Sequence, residues 1–115
     1  MSGLDLWTEI QETKKLLDLA LKEAKSRGLM MNAAEAKYYG VKDRRVRELM
    51  DENKSGTVIA MLIKGEPEVN AAMNEFHDYQ VEYKNACEAI NVYKKWFDFL
   101  REQYQREWSQ VKGEQ

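Results

Sequence analysis

The sequence predicts an all-α protein, an antiparallel helical hairpin of the coiled-coil type with a short helix at the bend and a very long C-terminal helix. Two observations lead to this prediction, and one segment leaves an alternative. The chain has 115 residues and a single proline, Pro67. Apolar side chains recur every seven residues on both sides of that proline, as they do in helices packed along their length. The β-branched residues of segment 57–63 are also compatible with a strand, but the segment is short and has no partner strand.

The C-terminal helix is expected over residues 67–112. Neither glycine nor proline follows Pro67 until Gly113. Pro67 suits the first helical turn because its missing N–H is not needed there, and Glu66 and Glu68 suit the positive end of the helix dipole. Two heptad series predict the buried face of this helix. They are Val69, Phe76, Tyr83, Ile90, Phe97, Tyr104 and Val111, and Ala72, Tyr79, Ala86, Tyr93, Leu100 and then Glu107.

The N-terminal half is expected to be helical over residues 4–53, with two alternatives at Gly28. Its apolar series consists of Ile10, Leu17, Ala24, Met31 and Tyr38, accompanied by Leu6, Ala20, Ala34 and Val41. One bent helix or two consecutive helices would both keep this series in phase. Gly28 follows basic residues that suit a last turn, and Asn32 with Glu35 reads as a capping box that starts a new helix. We therefore favour a break or kink at Gly28.

Two turns define the bend. The segments NKSGT (53–57) and KGEP (64–67) have the composition of turns. Between them a short helix is expected over about residues 57–63, with Thr57 as its N-cap. At this length the whole chain, residues 1–115, is expected to be a single domain.

The C-terminal helix carries more aromatic residues than one neighbouring helix can cover. Trp96, Phe99 and Trp108 fall outside both of its main heptad series. Exposed rings in that number indicate a subunit interface. We therefore expect a homo-oligomeric helical bundle in which these three residues contact another subunit.

The sequence has no recognisable catalytic or metal-binding pattern. His77 is the only histidine and Cys87 the only cysteine. We find no Cys–His pair, no nucleophile elbow and no glycine-rich phosphate loop. The histidine is expected to be a surface or packing residue, and the cysteine a small buried thiol. We therefore expect a protein that is not an enzyme and that uses no cofactor and no metal ion.

One cluster indicates a ligand site. The segment KYYGVKDRRVR (residues 37–47), called here the basic tyrosine segment, combines five basic residues and two tyrosines with one acid, Asp43. Arginine forks and aromatic faces are the groups that bind phosphates and bases. The candidate ligand-binding residues are Lys37, Tyr38, Tyr39, Lys42, Arg44, Arg45 and Arg47, with Thr57 and Lys64 from the bend.

The same cations have a purely structural alternative. In a hairpin that bends near residue 60, positions around 42 lie opposite positions around 78. The basic residues would then form ion pairs with Glu75, Asp78 and Glu82 of the long helix. Binding of an anionic ligand and intramolecular pairing are both compatible with the sequence.

Composition and charge suggest a cytoplasmic protein. The 18 basic residues are outnumbered by 20 acidic ones, so the formal net charge is -2 and does not attract long polyanions or anionic membranes. A single cysteine leaves no internal disulfide to form. The N-terminus lacks the pattern of a signal peptide, and no apolar run is long enough to cross a bilayer. No membrane association is expected.

From about Asn32 onward the chain resembles a family of small helical proteins encoded by phages and prophages of Gram-positive bacteria. Three segments carry this resemblance: AEAKYYGVKDRRVREL, SGTVIAMLIKGEPEV, and YKNACEAINVYKKW with the later REQYQREW. The first thirty residues carry no part of it. The resemblance implies a phage origin, a shared architecture, and an early-region accessory role without an assigned reaction. With a phage origin, the cytoplasm expected from the composition is that of the bacterial host.

Three function classes follow from these observations. The first is a phage accessory that sequesters or blocks a host factor or an anionic nucleotide-type signal, as an anti-defence protein does. The second is an accessory of phage DNA replication or recombination that binds nucleic acid or a DNA-processing protein. The acidic balance of the chain makes nucleic-acid binding the weaker of these two. The third is a purely structural coiled-coil oligomer.

Overall fold

The computed structural model describes residues 3–113, and the side chains of residues 5–110. It contains three α-helices: α1 (Gly3–Asp51), α2 (Gly56–Ile63) and α3 (Pro67–Gly113). The described residues include no strand. The all-α class is thus confirmed, and the strand alternative for residues 57–63 is wrong. None of the helices in this range combines the length and the apolar character needed to cross a bilayer.

The break favoured at Gly28 does not occur. Helix α1 runs without interruption from Gly3 to Asp51, so Asn32 and Glu35 lie inside it and start no second helix. The reason for a glycine at this position is a close contact. A Cβ atom added to Gly28 would lie 3.1 Å from Cε2 of Tyr83, a residue of α3. The glycine makes room for an aromatic ring instead of ending the helix.

The C-terminus of α1 is closed by Asn53, which has a left-handed backbone conformation with φ of 61°. The N–H of Lys54 donates to the carbonyl of Leu49 over 3.2 Å, and the N–H of Asn53 donates to the carbonyl of Met50 over 3.0 Å. This pair of hydrogen bonds is the Schellman motif, which satisfies the last carbonyl groups of a helix. Asparagine tolerates the left-handed conformation better than most residues.

The N-cap of α2 is Ser55, and the expectation that Thr57 would cap this helix is wrong. Ser55 has an extended backbone, and its hydroxyl accepts a hydrogen bond from the N–H of Val58 over 3.3 Å. Thr57 lies inside the first turn of α2. The three-residue spacing between hydroxyl and N–H is the usual N-cap geometry, so the helix starts at Gly56, one residue earlier than expected.

Helix α3 starts at Pro67, as the sequence predicts. The carbonyl of Glu66 accepts the first helical hydrogen bond, from the N–H of Asn70 over 3.0 Å. The Asn70 side chain also donates to the carbonyl of Lys64 over 3.1 Å and so ties the turn to the helix that follows. Proline lacks the N–H that would have no partner in this first turn.

The chain divides into two compact units, which are described separately. Unit 1 comprises Met1–Lys25 and Asn85–Gln115, and unit 2 comprises Ser26–Lys84. The core of unit 1 is formed by Leu6 and Ile10 of α1 with Leu100 of α3. Phe97 and Tyr104 pack against these residues. Because all of them belong to the predicted heptad series, the apolar pattern correctly identified this core.

The core of unit 2 joins all three helices. It consists of Leu49 from α1, Ile59 and Ile63 from α2, and Val69 from α3. Leu49 is the most enclosed of the four, with 1% of its surface exposed. Three partly buried residues of α1 pack against this core, namely Tyr38, Val41 and Val46. The short helix α2 therefore belongs to the fold and not merely to a connection.

The heptad series agree with the observed burial throughout the described side chains. Every apolar position named for α1 and α3 is buried or half-buried. The side chain of Val111 lies outside the described residues. Thr13 is a buried position that the sequence analysis missed, with 4% of its surface exposed. It lies three residues after Ile10, on the same face of the helix.

Candidate binding surfaces

The basic tyrosine segment lies on α1 in unit 2, where glutamates of α3 face it. Nζ of Lys37 lies 3.0 Å from Oε2 of Glu75. Arg44 forms an ion pair with Glu68. The pairing with Glu75 agrees with the alternative in which the cations of the basic tyrosine segment form intramolecular ion pairs with acids of the long helix. Both ion pairs are exposed to solvent, so each contributes little to stability by itself.

The register of these pairs differs from the expected one. Lys37 with Glu75 and Arg44 with Glu68 both have residue 56 as their midpoint, whereas the sequence analysis placed the bend near residue 60. A midpoint shift of about four residues moves the α3 residue opposite a given α1 residue by twice that number, about eight residues or roughly two helical turns. As a result, the expected pairing of the segment with Asp78 is absent from the described residues, and Glu82 instead pairs with Arg27, outside the segment, over 2.7 Å.

Arg45 is the most fully engaged cation of the segment. Its Nη1 lies 2.9 Å from Oε2 of Glu48, one turn further along α1. Its Nε lies 2.9 Å from Oε1 of Glu66, in the turn before α3. The hydrogen bonds that Arg45 donates to Glu48 and then to Glu66 raise the pKa of its guanidinium above the ordinary value. Arg45 thus links α1 to the start of α3 and has fewer donors left for a ligand.

The tyrosines and the other cations have different surroundings. Tyr38 packs against the core of unit 2, and its ring meets that of Tyr39 edge to face with centroids 5.2 Å apart. Nζ of Lys42 lies 5.8 Å from the centre of the Tyr38 ring. Arg47 is exposed and has no ion-pair partner among residues 3–113. Only Tyr39, Lys42 and Arg47 therefore remain available for an external ligand.

A shallow depression of about 260 Å³ is present beside Lys37. It is lined by Met30, Ala33, Ala34, Lys37, Glu75 and Tyr79. Its one cation is paired with its one carboxylate, and its volume lies below the range of about 300–1,000 Å³ typical of small-molecule sites. This depression does not have the properties of an anion pocket.

The two candidate residues from the bend lie at opposite ends of α2. Thr57 is exposed in the first turn, and Lys64 caps the C-terminus of the helix. Within the described part of the chain, no side-chain hydrogen bond or ion pair connects either of them to the basic tyrosine segment. Among the described residues, no network of hydrogen bonds or ion pairs thus joins the nine candidate ligand-binding residues into one site.

Helix α2 exposes an apolar face that the sequence analysis missed. Ile59 and Ile63 are buried, whereas Val58, Met61 and Leu62 point outward. These three outward residues are called here the α2 outer face. Met61 and Leu62 follow Val58 by three and four residues, about one turn, so all three lie on the same side of the helix. Met61 is 71% exposed. A small protein cannot bury every side of a helix that is apolar all round. The continuous apolar run VIAMLI could therefore have predicted that α2 has an exposed apolar face.

A second apolar face lies on α3 in unit 1. The rings of Trp96 and Phe99 stack with centroids 5.4 Å apart and an interplanar angle of 21°. Together with Val92, which is 64% exposed, they form what we call the α3 outer face. A shallow groove of about 380 Å³ follows these residues and Lys95. Trp96 and Phe99 are two of the three interface residues expected from the sequence, whereas Val92 is not among them.

Trp108 is the third residue named from the sequence as an interface residue. It is 56% exposed, so the structure leaves much of its ring accessible. It is not part of the groove along the α3 outer face. Trp108 therefore lies apart from the apolar surface that Trp96 and Phe99 form with Val92.

The described residues also include potential metal ligands and one cysteine. Over residues 3–113, no group of three or more His, Cys, Asp or Glu side chains is arranged to hold a metal ion. Cys87 is half-buried with a free thiol. Comparison of the chain with protein-family models, with curated proteins and with solved structures found no match.

Proposed function

We propose that this protein is a non-enzymatic phage or prophage accessory that blocks a host protein in the bacterial cytoplasm by docking it on the α2 outer face. One observation carries the proposal. Val58, Met61 and Leu62 are exposed on a short helix whose opposite side is anchored in a core. An apolar face held on a rigid element is the usual form of a helix that inserts into the groove of a partner.

The proposed partner has an apolar groove with an acidic rim. Lys54 and Lys64 lie just beyond the two ends of α2, and neither ammonium group has an ion-pair partner among the described residues. Cations at the edge of an apolar contact favour partners that carry acids there. Met61 suits the centre of such a contact because its flexible thioether side chain adapts to the surface that it meets.

Self-association is the second part of the proposal. In a whole chain folded as an antiparallel hairpin, the α3 outer face would pack against another subunit. The stacked rings of Trp96 and Phe99, with Val92, form an apolar surface of the kind that natural proteins cover in an interface. The phage origin and the accessory role rest on the resemblance of the segments from Asn32 onward. An anti-defence role is one way in which such an accessory would act by blocking a host protein.

An anionic nucleotide or nucleic acid bound at the basic tyrosine segment is the alternative function. It is the weaker one because Lys37, Arg44 and Arg45 already pair with glutamates. A phosphate would have to displace these carboxylates. Tyr39, Lys42 and Arg47 remain as partners for such a ligand, which is fewer than a specific phosphate site normally uses.

Site-directed photocrosslinking tests the proposed partner site. A photoreactive amino acid at position 61 should crosslink one host protein in cells of a Gram-positive host, and Leu62→Glu should abolish that crosslink. Val81→Glu is the matched control. It adds the same charge to an exposed apolar residue of unit 2, on α3, and it should leave the crosslink intact.

Binding of the purified host protein completes the test. Leu62→Glu should weaken its binding at least about 30-fold, as expected for a central apolar contact. Replacing Lys54 or Lys64 by glutamate should weaken binding less than Leu62→Glu does, and it should reduce the salt dependence of binding. No crosslink at position 61, together with specific binding of a cyclic dinucleotide or a short single-stranded oligonucleotide that Arg47→Ala removes, would replace this proposal by the alternative.

A further inference from the structure

The α3 outer face has an exposed acid before it and an exposed base after it along the helix. Glu88 precedes it and Arg106 follows it. The two residues are 18 positions apart, which is five helical turns and about 27 Å. They therefore lie on the same side of α3. Phe99 lies 11 residues after Glu88 and 7 before Arg106, close to three and two whole turns, so it shares that side.

The aromatic pair lies at the centre of this arrangement. The midpoint between Glu88 and Arg106 is residue 97, and Trp96 and Phe99 are on either side of it. Glu88 and Arg106 are both exposed. Within the described part of unit 1, neither of them has an ion-pair partner. The α3 outer face thus has an exposed apolar centre, with a negative charge at Glu88 and a positive charge at Arg106 at equal distances from it.

Lys95 and Glu102 repeat the pattern closer to the centre. Both are exposed, and they lie two turns apart along one edge of the face. In the described residues, these two side chains also lack an ion-pair partner. On this edge the base comes first and the acid second, so the order of charges is opposite to that of Glu88 and Arg106.

We infer that the partner of the α3 outer face is a second copy of the same chain, packed antiparallel about a two-fold axis near residue 97. This inference rests on the self-association proposed above and adds the orientation and the contacts. A two-fold axis there places Glu88 of each subunit opposite Arg106 of the partner subunit, twice in one dimer. The contact is isologous, with the same patch used on both sides.

Charge complementarity decides the orientation. A parallel pairing in register would place Glu88 beside the same residue of the second copy, and Arg106 likewise. Both contacts would be repulsive. The antiparallel pairing converts both into attractive pairs, and it brings Lys95 of one subunit within one turn of Glu102 of the partner subunit. The rings of Trp96 and Phe99 then meet their counterparts at the centre, where apolar burial contributes most to binding.

Disulfide trapping tests the orientation. Two chains of different length, one carrying Glu88→Cys and the other Arg106→Cys, are mixed in a Cys87→Ser background and oxidised. The expected product is the mixed dimer, with little product from either chain alone. A chain carrying Asp43→Cys, an exposed position in unit 2, measures the rate of random collision.

The outcomes separate the inference from the proposal on which it depends. Efficient disulfides between two chains of the same type, joining position 88 to position 88 or position 106 to position 106, would overturn the antiparallel arrangement. They would still support self-association. A dimer by sedimentation that gives no disulfide above the collision rate would also overturn the antiparallel arrangement. A wild-type chain that sediments as a 13.5 kDa monomer at tens of micromolar would overturn both.

Charge reversal supplies an independent readout. Glu88→Arg should raise the dimer dissociation constant about tenfold, because two attractive rim pairs become repulsive. Adding Arg106→Glu to that variant should restore wild-type affinity. Val92→Glu should weaken the dimer at least about 30-fold without loss of helical circular dichroism, since Val92 is exposed in the subunit. A double reversal that stays as weak as the single variant would contradict the proposed pairing.

Discussion

Arg45 donates hydrogen bonds to two glutamates on different elements, to Glu48 on α1 and to Glu66 in the turn before α3, each over 2.9 Å. It therefore holds the start of α3 against α1 in unit 2. Arg47, two residues further on, is exposed and forms no ion pair within the described residues. These two arginines provide a comparison between a structural and a free cation of the basic tyrosine segment.

Arg45→Ala should lower the melting temperature by a few degrees, because the variant leaves Glu66 without its partner. Arg47→Ala is the matched control and should leave the melting temperature unchanged. Combining Arg45→Glu with Glu66→Arg should recover part of the loss. Thermal unfolding followed by circular dichroism measures all three. Equal effects of the two alanine variants would show that the pairing of Arg45 does not stabilise the fold.

Gly40→Ala should stabilise the protein by about 0.5–1 kcal/mol, because alanine favours the helix interior. Nothing lies within 4 Å of a Cβ atom at Gly40. Gly28→Ala should stabilise the protein less than Gly40→Ala does, or destabilise it, since its Cβ would lie 3.1 Å from the Tyr83 ring. Urea unfolding of both variants gives the comparison. If Gly28→Ala stabilised as much as Gly40→Ala, the Tyr83 ring would not be confined at this contact.

Leu49→Ala should lower the free energy of unfolding by about 2–5 kcal/mol, the usual cost of truncating a fully buried leucine. Leu49 is 1% exposed in the core that joins the three helices of unit 2. Met50→Ala is the control, at a neighbouring exposed position, and should cost no more than about 0.5 kcal/mol. Chemical denaturation measures both. A small effect at Leu49 would mean that α2 does not pack on α1 as described.

Ser55→Ala should destabilise the protein by about 1 kcal/mol, because the N–H of Val58 loses its acceptor. Thr57→Ala should have a much smaller effect, since Thr57 is exposed inside the first turn of α2. The same denaturation experiments apply. A larger loss from Thr57→Ala than from Ser55→Ala would restore the capping role that the sequence suggested for the threonine.

Features of this fold that depend on a few neighbouring residues are the ones that the sequence predicts correctly. Pro67 marks the start of α3 because its effect acts within one turn, and the heptad series identify buried positions because helical periodicity is a local property. The cap of α2 was missed by two residues. Both Ser55 and Thr57 carry a suitable hydroxyl, and only the backbone conformation of Ser55 decides between them.

Contacts between residues far apart in the chain could not be predicted from local sequence patterns. The role of Gly28 depends on Tyr83, which is far away in the chain and belongs to another helix. The partners of Arg44 and Arg45 depend on the register between α1 and α3. Along α3 that register differs by about eight residues, roughly two turns, from the expected one. It accompanies a core in which Ile59 and Ile63 of α2 pack with Leu49 and Val69, contacts that no local pattern predicts.

By itself, the sequence determined that this protein is helical, where α3 begins, and most of the buried side chains of α1 and α3. These properties follow from hydrophobic periodicity and from the chemistry of a single proline. Thr13 and Leu49 are buried positions of α1 that this periodicity did not identify. Only the tertiary structure decided that α1 passes through Gly28, that Lys37, Arg44 and Arg45 pair with glutamates, and that the α2 outer face is exposed. Each of these depends on which surfaces meet, and that is settled by packing between residues far apart in the chain.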